Sequence, residues 1–162
     1  MRPFLILGAV ATLLSGAPAA AEPPRDATDV VVGARLFVER LYAVYATDDV
    51  PDLFGKPDQT FEPELAAAIV TLAKRMEQGG DMPASFGADP VCNCQDYGDV
   101  SFRIDYVGLM GKRATARVAF SNFGAVDTRR VDLVMTPQGW RVFDIDGTFR
   151  SSVMADLAAP EG

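Results

Sequence analysis

Residues 100–145 read VSFRIDYVGLMGKRATARVAFSNFGAVDTRRVDLVMTPQGWRVFDI, and their alternation decides the fold. Phe102, Ile104 and Tyr106 alternate with Ser101, Arg103 and Asp105. Ala114, Ala116, Val118 and Phe120 alternate with Thr115, Arg117 and Ser121, and Val131, Leu133 and Met135 with Arg130 and Asp132. A period of two belongs to strands with one apolar face. Gly111-Lys112, Asn122 to Ala125 and Thr136-Pro137-Gln138-Gly139 separate the runs and read as turns. The last suits a type I turn, with proline second and glycine fourth. In the final strand, Trp140 and Val142 share one face while Phe143 and Ile145 share the other. Apolar residues on both faces predict a central strand or a bulge. Four consecutive strands joined by short turns predict an antiparallel meander.

Upstream the period lengthens. Val30, Ala34, Phe37, Leu41 and Val44 fall at spacings of four and three, one stripe of a helix. Asp26 and Thr28 are both N-cap types, and Asp29 suits a first turn, so a helix is predicted over Thr28 to Thr47. Asp48 to Thr60 holds two prolines, a glycine and four aspartates and reads as a loop. Pro63 suits the first position of a second helix with the stripe Leu65, Ile69, Leu72 and Met76, stopped by Gly79-Gly80. Gly79 to Asp99 is irregular and long, as functional loops often are. Downstream of the strands, Ser151 or Ser152 is a candidate cap for a short helix with Val153, Met154 and Leu157. The expected fold is therefore α+β: a curved antiparallel four-stranded meander packed against two N-terminal helices, with a short C-terminal helix.

The segment Gln95-Asp96-Tyr97, the meander, and the ending Trp140-Arg141-Val142-Phe143-Asp144-Ile145-Asp146 resemble a domain-of-unknown-function family of small exported bacterial proteins. That family is similar in fold to the nuclear transport factor two-like (cystatin-like) superfamily, a cone of curved sheet wrapped by helices. Phe61-Glu62-Pro63-Glu64-Leu65 resembles the opening of the second helix there. The resemblance covers Thr28 to Leu157 and implies a cavity inside the cone. The family has no assigned chemistry, so the resemblance assigns no catalytic residue. Catalytic cones of the superfamily are often built around a cavity acid with His or Tyr; this chain has Asp and Tyr but no His.

At the start, Arg2 precedes the apolar run Phe4 to Leu14, and Ala19-Ala20-Ala21 supplies an A-x-A site. This reads as a signal peptide over 1–21, cleaved before Glu22, with periplasmic or secreted location. Residues 22–27 read as a linker, 28–158 as one domain and 159–162 as a tail. The chain has 162 residues, enough for one domain with its own core. Lys plus Arg number 15 against 22 Asp plus Glu, a net charge of −7. An acidic surface disfavours nucleic acid and anionic lipid as partners. The absence of histidine excludes Ser-His-Asp, Cys-His and His-ligated zinc sites. No cofactor is expected.

Cys92 and Cys94 are the only cysteines. Three readings stand side by side: a local disulfide stiffening the loop, two reduced thiols, or a redox or metal site. Gln95, Asp96 and Tyr97, with Arg103 and Tyr106 on the adjoining strand, form a candidate ligand-binding lip. An acid and a phenol in an apolar cavity could also transfer protons, because burial raises the acid's pKa. Read as loop chemistry, the same acids cap backbone groups and Tyr97 belongs to the core. Asp144 and Asp146 beside Gly147 suit a turn, and Arg117, Arg129 and Arg130 form a basic group able to grip carboxylates. The leading functional expectation is a non-catalytic binding module for a small apolar ligand or an envelope protein. The alternatives are an isomerase- or hydratase-like enzyme using Asp96 with Tyr97 or Tyr106, and an inhibitor or immunity-type protein that plugs a partner's site with the loop around Cys92.

Overall fold

A computed structural model describes residues 26–47 and 52–160. The segment read as a signal peptide, most of the segment read as a linker, residues 48–51 and the last two residues lie outside the described residues. The element order is helix α1 (Ala27–Ala43), helix α2 (Pro57–Thr60), helix α3 (Pro63–Glu77), strands β1 (Ser101–Met110), β2 (Arg113–Asn122), β3 (Ala125–Thr136) and β4 (Gly139–Ile145), and helix α4 (Phe149–Ala158). The four strands form one antiparallel sheet in the order β1-β2-β3-β4, and the class is α+β as expected.

The strands keep the predicted inward faces where the alternation is unbroken. Ala114, Ala116, Val118 and Phe120 of β2 and Val131 and Leu133 of β3 are all buried. The two outer strands depart from it. In β1 the register shifts between Ile104 and Tyr106, so Asp105 is one residue too many for its partner strand. A residue inserted into a ladder turns every later side chain over. Tyr106, expected beside Phe102 and Ile104, therefore points outward and is 55% exposed, while Val107 and Leu109 take the inward positions. In β4 the shift falls at Phe143. Ile145, expected opposite Val142, returns to the inner face and is buried. The bulge is thus present, and β4 lies at the edge of the sheet, not its centre.

That edge is covered. Phe61 bridges Val142 in the parallel sense, and Glu62 N–H donates to the Val142 carbonyl at 2.9 Å. The same Glu62 caps α3, accepting from the Leu65 and Glu64 amides at 2.9 and 3.1 Å. Its carboxylate also pairs with Arg150 of α4. Burial works to raise the Glu62 pKa, but the Arg150 hydrogen bond, the two amides and the Arg150 charge together hold it below the ordinary value.

The first helix starts at an Asp26 cap whose carboxylate accepts from Asp29 N–H at 2.9 Å. Its buried face is Ala34, Val38, Leu41 and Tyr42, continued by Tyr45, so the stripe is rotated from the predicted one; Phe37 and Val44 lie at its border. α1 lies against β1, β2 and β4, and Gly33 is where Trp140 of β4 reaches it: a Cβ there would stand 3.3 Å from the indole nitrogen. α3 buries Leu65, Ile69 and Leu72 as predicted and packs beside α4. α2 lies inside a stretch read as loop; Pro57 at its first turn presets φ for one helical turn. α4 begins after Thr148, and Ser151 and Ser152 bond back to the Thr148 carbonyl instead of capping. All these apolar groups belong to one core.

Candidate functional site

The Gly79 to Asp99 loop has almost no repeating structure, apart from a 3-10 turn at Ala84–Phe86 and one bridge between Asp89 and Cys94. It is nonetheless fixed from below. Backbone groups without ladder partners must be satisfied by side chains or water. Here two core side chains do so directly, and a third holds the Asp89 carboxylate that does the same. Tyr42 donates its hydroxyl to the Val91 carbonyl at 3.1 Å. Arg129, on the inner face of β3, donates to the Pro90 carbonyl at 2.9 Å. Tyr45 donates to Asp89 Oδ2 at 2.6 Å. The other Asp89 oxygen accepts from the Val91 and Cys92 amides at 2.8 and 3.3 Å, the pattern of an aspartate that shapes its own turn.

Arg129 is the one buried charged residue among the described residues. Its guanidinium also meets Asp146 Oδ2 at 2.6 Å, and Asp146 Oδ1 accepts from Arg130 N–H at 2.8 Å. Asp144 accepts from the Ile145 and Arg150 amides. The two terminal aspartates are therefore turn and cap groups, as the Gly147 context suggested. Burial pushes the Asp89 pKa up, against the opposing pull of its Tyr45 and amide donors and the Arg129 charge. Burial, then the neighbouring Asp89 charge, pushes the Tyr45 phenol far up, and burial does the same for Tyr42.

The two cysteines are disulfide-bonded, with Cα atoms 5.2 Å apart. The pair closes the tip of the turn through Asn93, whose φ of 55° is one that asparagine tolerates. Of the three readings of Cys92 and Cys94, the local disulfide is the one in the structure. Farther along, the β2–β3 hairpin clasps the loop. Asn122 accepts from Gly98 N–H and donates to the Asp96 carbonyl, both at 2.9 Å, and Phe123 N–H donates to the Gly98 carbonyl at 2.9 Å. The Phe123 ring lies over Gly98; a Cβ there would meet it at 2.6 Å, so a larger residue would have to push the ring aside.

The predicted lip is divided by this arrangement. Gln95 and Tyr97 border a shallow groove of about 340 Å³ with Phe54, Phe86, Asp89 and Cys94. Phe54 stacks on Phe86 at 4.4 Å, Tyr97 meets Tyr45 edge-on at 5.3 Å, and Gln95 donates to the Gly87 carbonyl at 3.0 Å. Asp96 is exposed and is held through its backbone. Arg103 and Tyr106 are elsewhere, on the outward face of the sheet, Arg103 paired with Asp105 at 2.6 Å. The acid–phenol contact exists, but it joins Asp89 to Tyr45, not Asp96 to Tyr97 or Tyr106.

Sequence reasoning missed Tyr45 and Asp89 as partners. Tyr45 lay one residue beyond the stripe ending at Val44, and Asp89 was hidden as the residue before Pro90. Among the described residues, no group of three or more Cys, Asp or Glu side chains is placed to hold a metal. No described helix is long and apolar enough to cross a membrane. Comparison with protein-family models, curated proteins and solved structures finds no match.

Proposed function

We propose that this chain is an exported, non-catalytic binding module of the bacterial envelope that engages a protein partner through the groove beside the Cys92–Cys94 turn. The observation that carries the reading is the fixing of that loop. Three core side chains, a disulfide and a clasping hairpin hold a segment that has no ladder of its own. Ordering a loop before binding removes an entropy cost from association. The groove floor of Phe54, Phe86, Tyr97 and Cys94 suits a protruding apolar side chain. The order of two main helices, loop, meander and closing helix supports a cone of the nuclear transport factor two-like kind. Its interior favours a protein partner over a small apolar ligand, because Tyr42, Phe61, Leu65, Ile69, Phe120 and Leu133 already fill it at 1% exposure or less.

The test is capture of envelope proteins on the immobilised mature chain, with Tyr97→Asp and Gln95→Arg as comparison surfaces. Saturable binding by the parent and its loss in both variants is expected. Equal capture by parent and variants would remove the groove from consideration. A second reading follows from the 2.6 Å contact between Asp89 and Tyr45, a proton-transfer pair with a raised acid. Both Asp89 oxygens are already engaged by donors from the protein, which favours the binding module. An isomerase or hydratase activity abolished by Asp89→Asn, in a variant that still folds, would reverse that preference.

A further inference from the structure

The outward face of the sheet has a composition at odds with the rest of the chain. The net charge is −7, yet this face presents Arg103, Arg113, Arg117, Arg130 and Arg141 against Asp105, Asp132 and Asp144. Register places Tyr106, Arg117 and Arg130 in one row across β1, β2 and β3. Like charges directly opposite each other on neighbouring strands weaken a sheet. Arg130 is compensated by Asp132, with a 2.8 Å ion pair. Arg117 and Arg113 have no carboxylate partner among the described residues; Arg113 lies instead over the Phe143 ring, 3.8 Å from its centroid. Beside them lies a groove of about 400 Å³ between Tyr106 and Phe143, with Met110 at its rim, 79% exposed. Tyr106 lies along the strand, because a methyl group at Gly108 would collide with its phenol oxygen.

We infer that this face is a docking site for an acidic polypeptide segment, whose carboxylates are taken by Arg117 and Arg113 and whose apolar side chains settle against Tyr106 and Phe143. Charge complementarity selects the occupant. A planar guanidinium with free N–H groups matches a carboxylate in a two-point contact. Arg113 and Arg117 are four residues apart on one strand, about 13 Å at ~3.3 Å per residue, the span of acids at i and i+4 in an extended chain. Long polyanions and anionic membranes extend well past the screening length of about 8 Å and would meet the chain's negative charge beyond this patch. A second copy would present the same excess of arginine, five against three aspartates.

The experiment uses the mature chain and a fluorescein-labelled extended peptide of alternating valine and polar residues, with glutamate at polar positions four apart. Its glutamine counterpart is the control. Anisotropy is expected to detect the glutamate peptide only, with affinity falling as salt rises. The double substitution Arg113→Thr, Arg117→Thr keeps strand propensity and should weaken binding at least about tenfold, while Arg103→Thr, already ion-paired, should change it less than about twofold. Tyr97→Asp, in the loop groove, should leave it unchanged, so failure here and failure of the loop reading are separable. Equal binding of the glutamine peptide, retained affinity in the double variant, or preferential binding to phosphatidylglycerol-containing vesicles would each overturn the inference.

Discussion

The loop from Gly79 to Asp99 and the outward face of the sheet solve opposite problems. The loop is irregular backbone held at its turn by side chains from below: Tyr42 to Val91, Tyr45 to Asp89, Arg129 to Pro90. The sheet face is laddered backbone, broken only by the bulges at Asp105 and Phe143, and leaves some side chains unmatched, Arg117 facing Arg130 and Arg113 resting on a ring. Regularity of the chain and satisfaction of the side chains are therefore separate matters. Burial demands the second whatever the first, whereas water lets an exposed charge go without a partner. Stability should accordingly be lost by truncation in the loop network and gained by truncation on the face.

The sharpest way to break that contrast is Arg129→Ala. It strands the Pro90 carbonyl and leaves Asp146 without its cation. The expected loss is about 3 kcal/mol by urea denaturation, at the low end for a buried pair because Asp146 keeps contact with water. Amides of residues 89–94 should exchange faster. Unchanged protection there would mean the loop is not held from below. Replacing Cys92 and Cys94 by alanine should cost only about 1.5 kcal/mol, because the closed ring is very short. Tyr45→Phe should cost about 1 kcal/mol and raise the Asp89 titration further, readable by carboxyl-carbon NMR, since one donor to the carboxylate is gone.

Acid sensitivity distinguishes two carboxylates with opposite shifts. Glu62 titrates below its ordinary 4.5 in the folded chain, so its stabilisation is complete above 4.5 and disappears as pH falls through the folded value. Asp89 titrates above its ordinary 3.8, so acidification through that window favours the fold at this residue. Glu62→Gln should flatten the acid limb of a stability profile, and Asp89→Asn should steepen it. At the small end, Arg117→Thr should stabilise the sheet by about 0.5 kcal/mol, by removing a like-charge neighbour and adding a strand former. A loss there would mean that Arg117 has a stabilising partner.

Element types were legible because each buries one face, and burial writes its period into the sequence. Leu65, Ile69 and Leu72, or Ala114, Ala116, Val118 and Phe120, could be read without a structure. Where the period slips, the signal fails. Nothing local distinguishes Asp105 from any other outward aspartate, so Tyr106 was assigned to the wrong face. At Phe143 the slip did leave a trace, in apolar residues on both sides of β4. The site was less legible than the fold. Its contacts join residues 44 apart, as in Tyr45 to Asp89, and depend on where the chain returns. Gln95 and Tyr97 do reach the groove, while Arg103 lies on the outward face by alternation and Tyr106 is turned there by the bulge.

The bridge of Phe61 to Val142 has a bearing on self-association. It covers the β4 edge at Val142, so among the described residues the β1 edge is the longer run without a strand partner. Two molecules joined edge to edge through β1 would each turn the covered side outward. Such stacking favours a pair over a fibre.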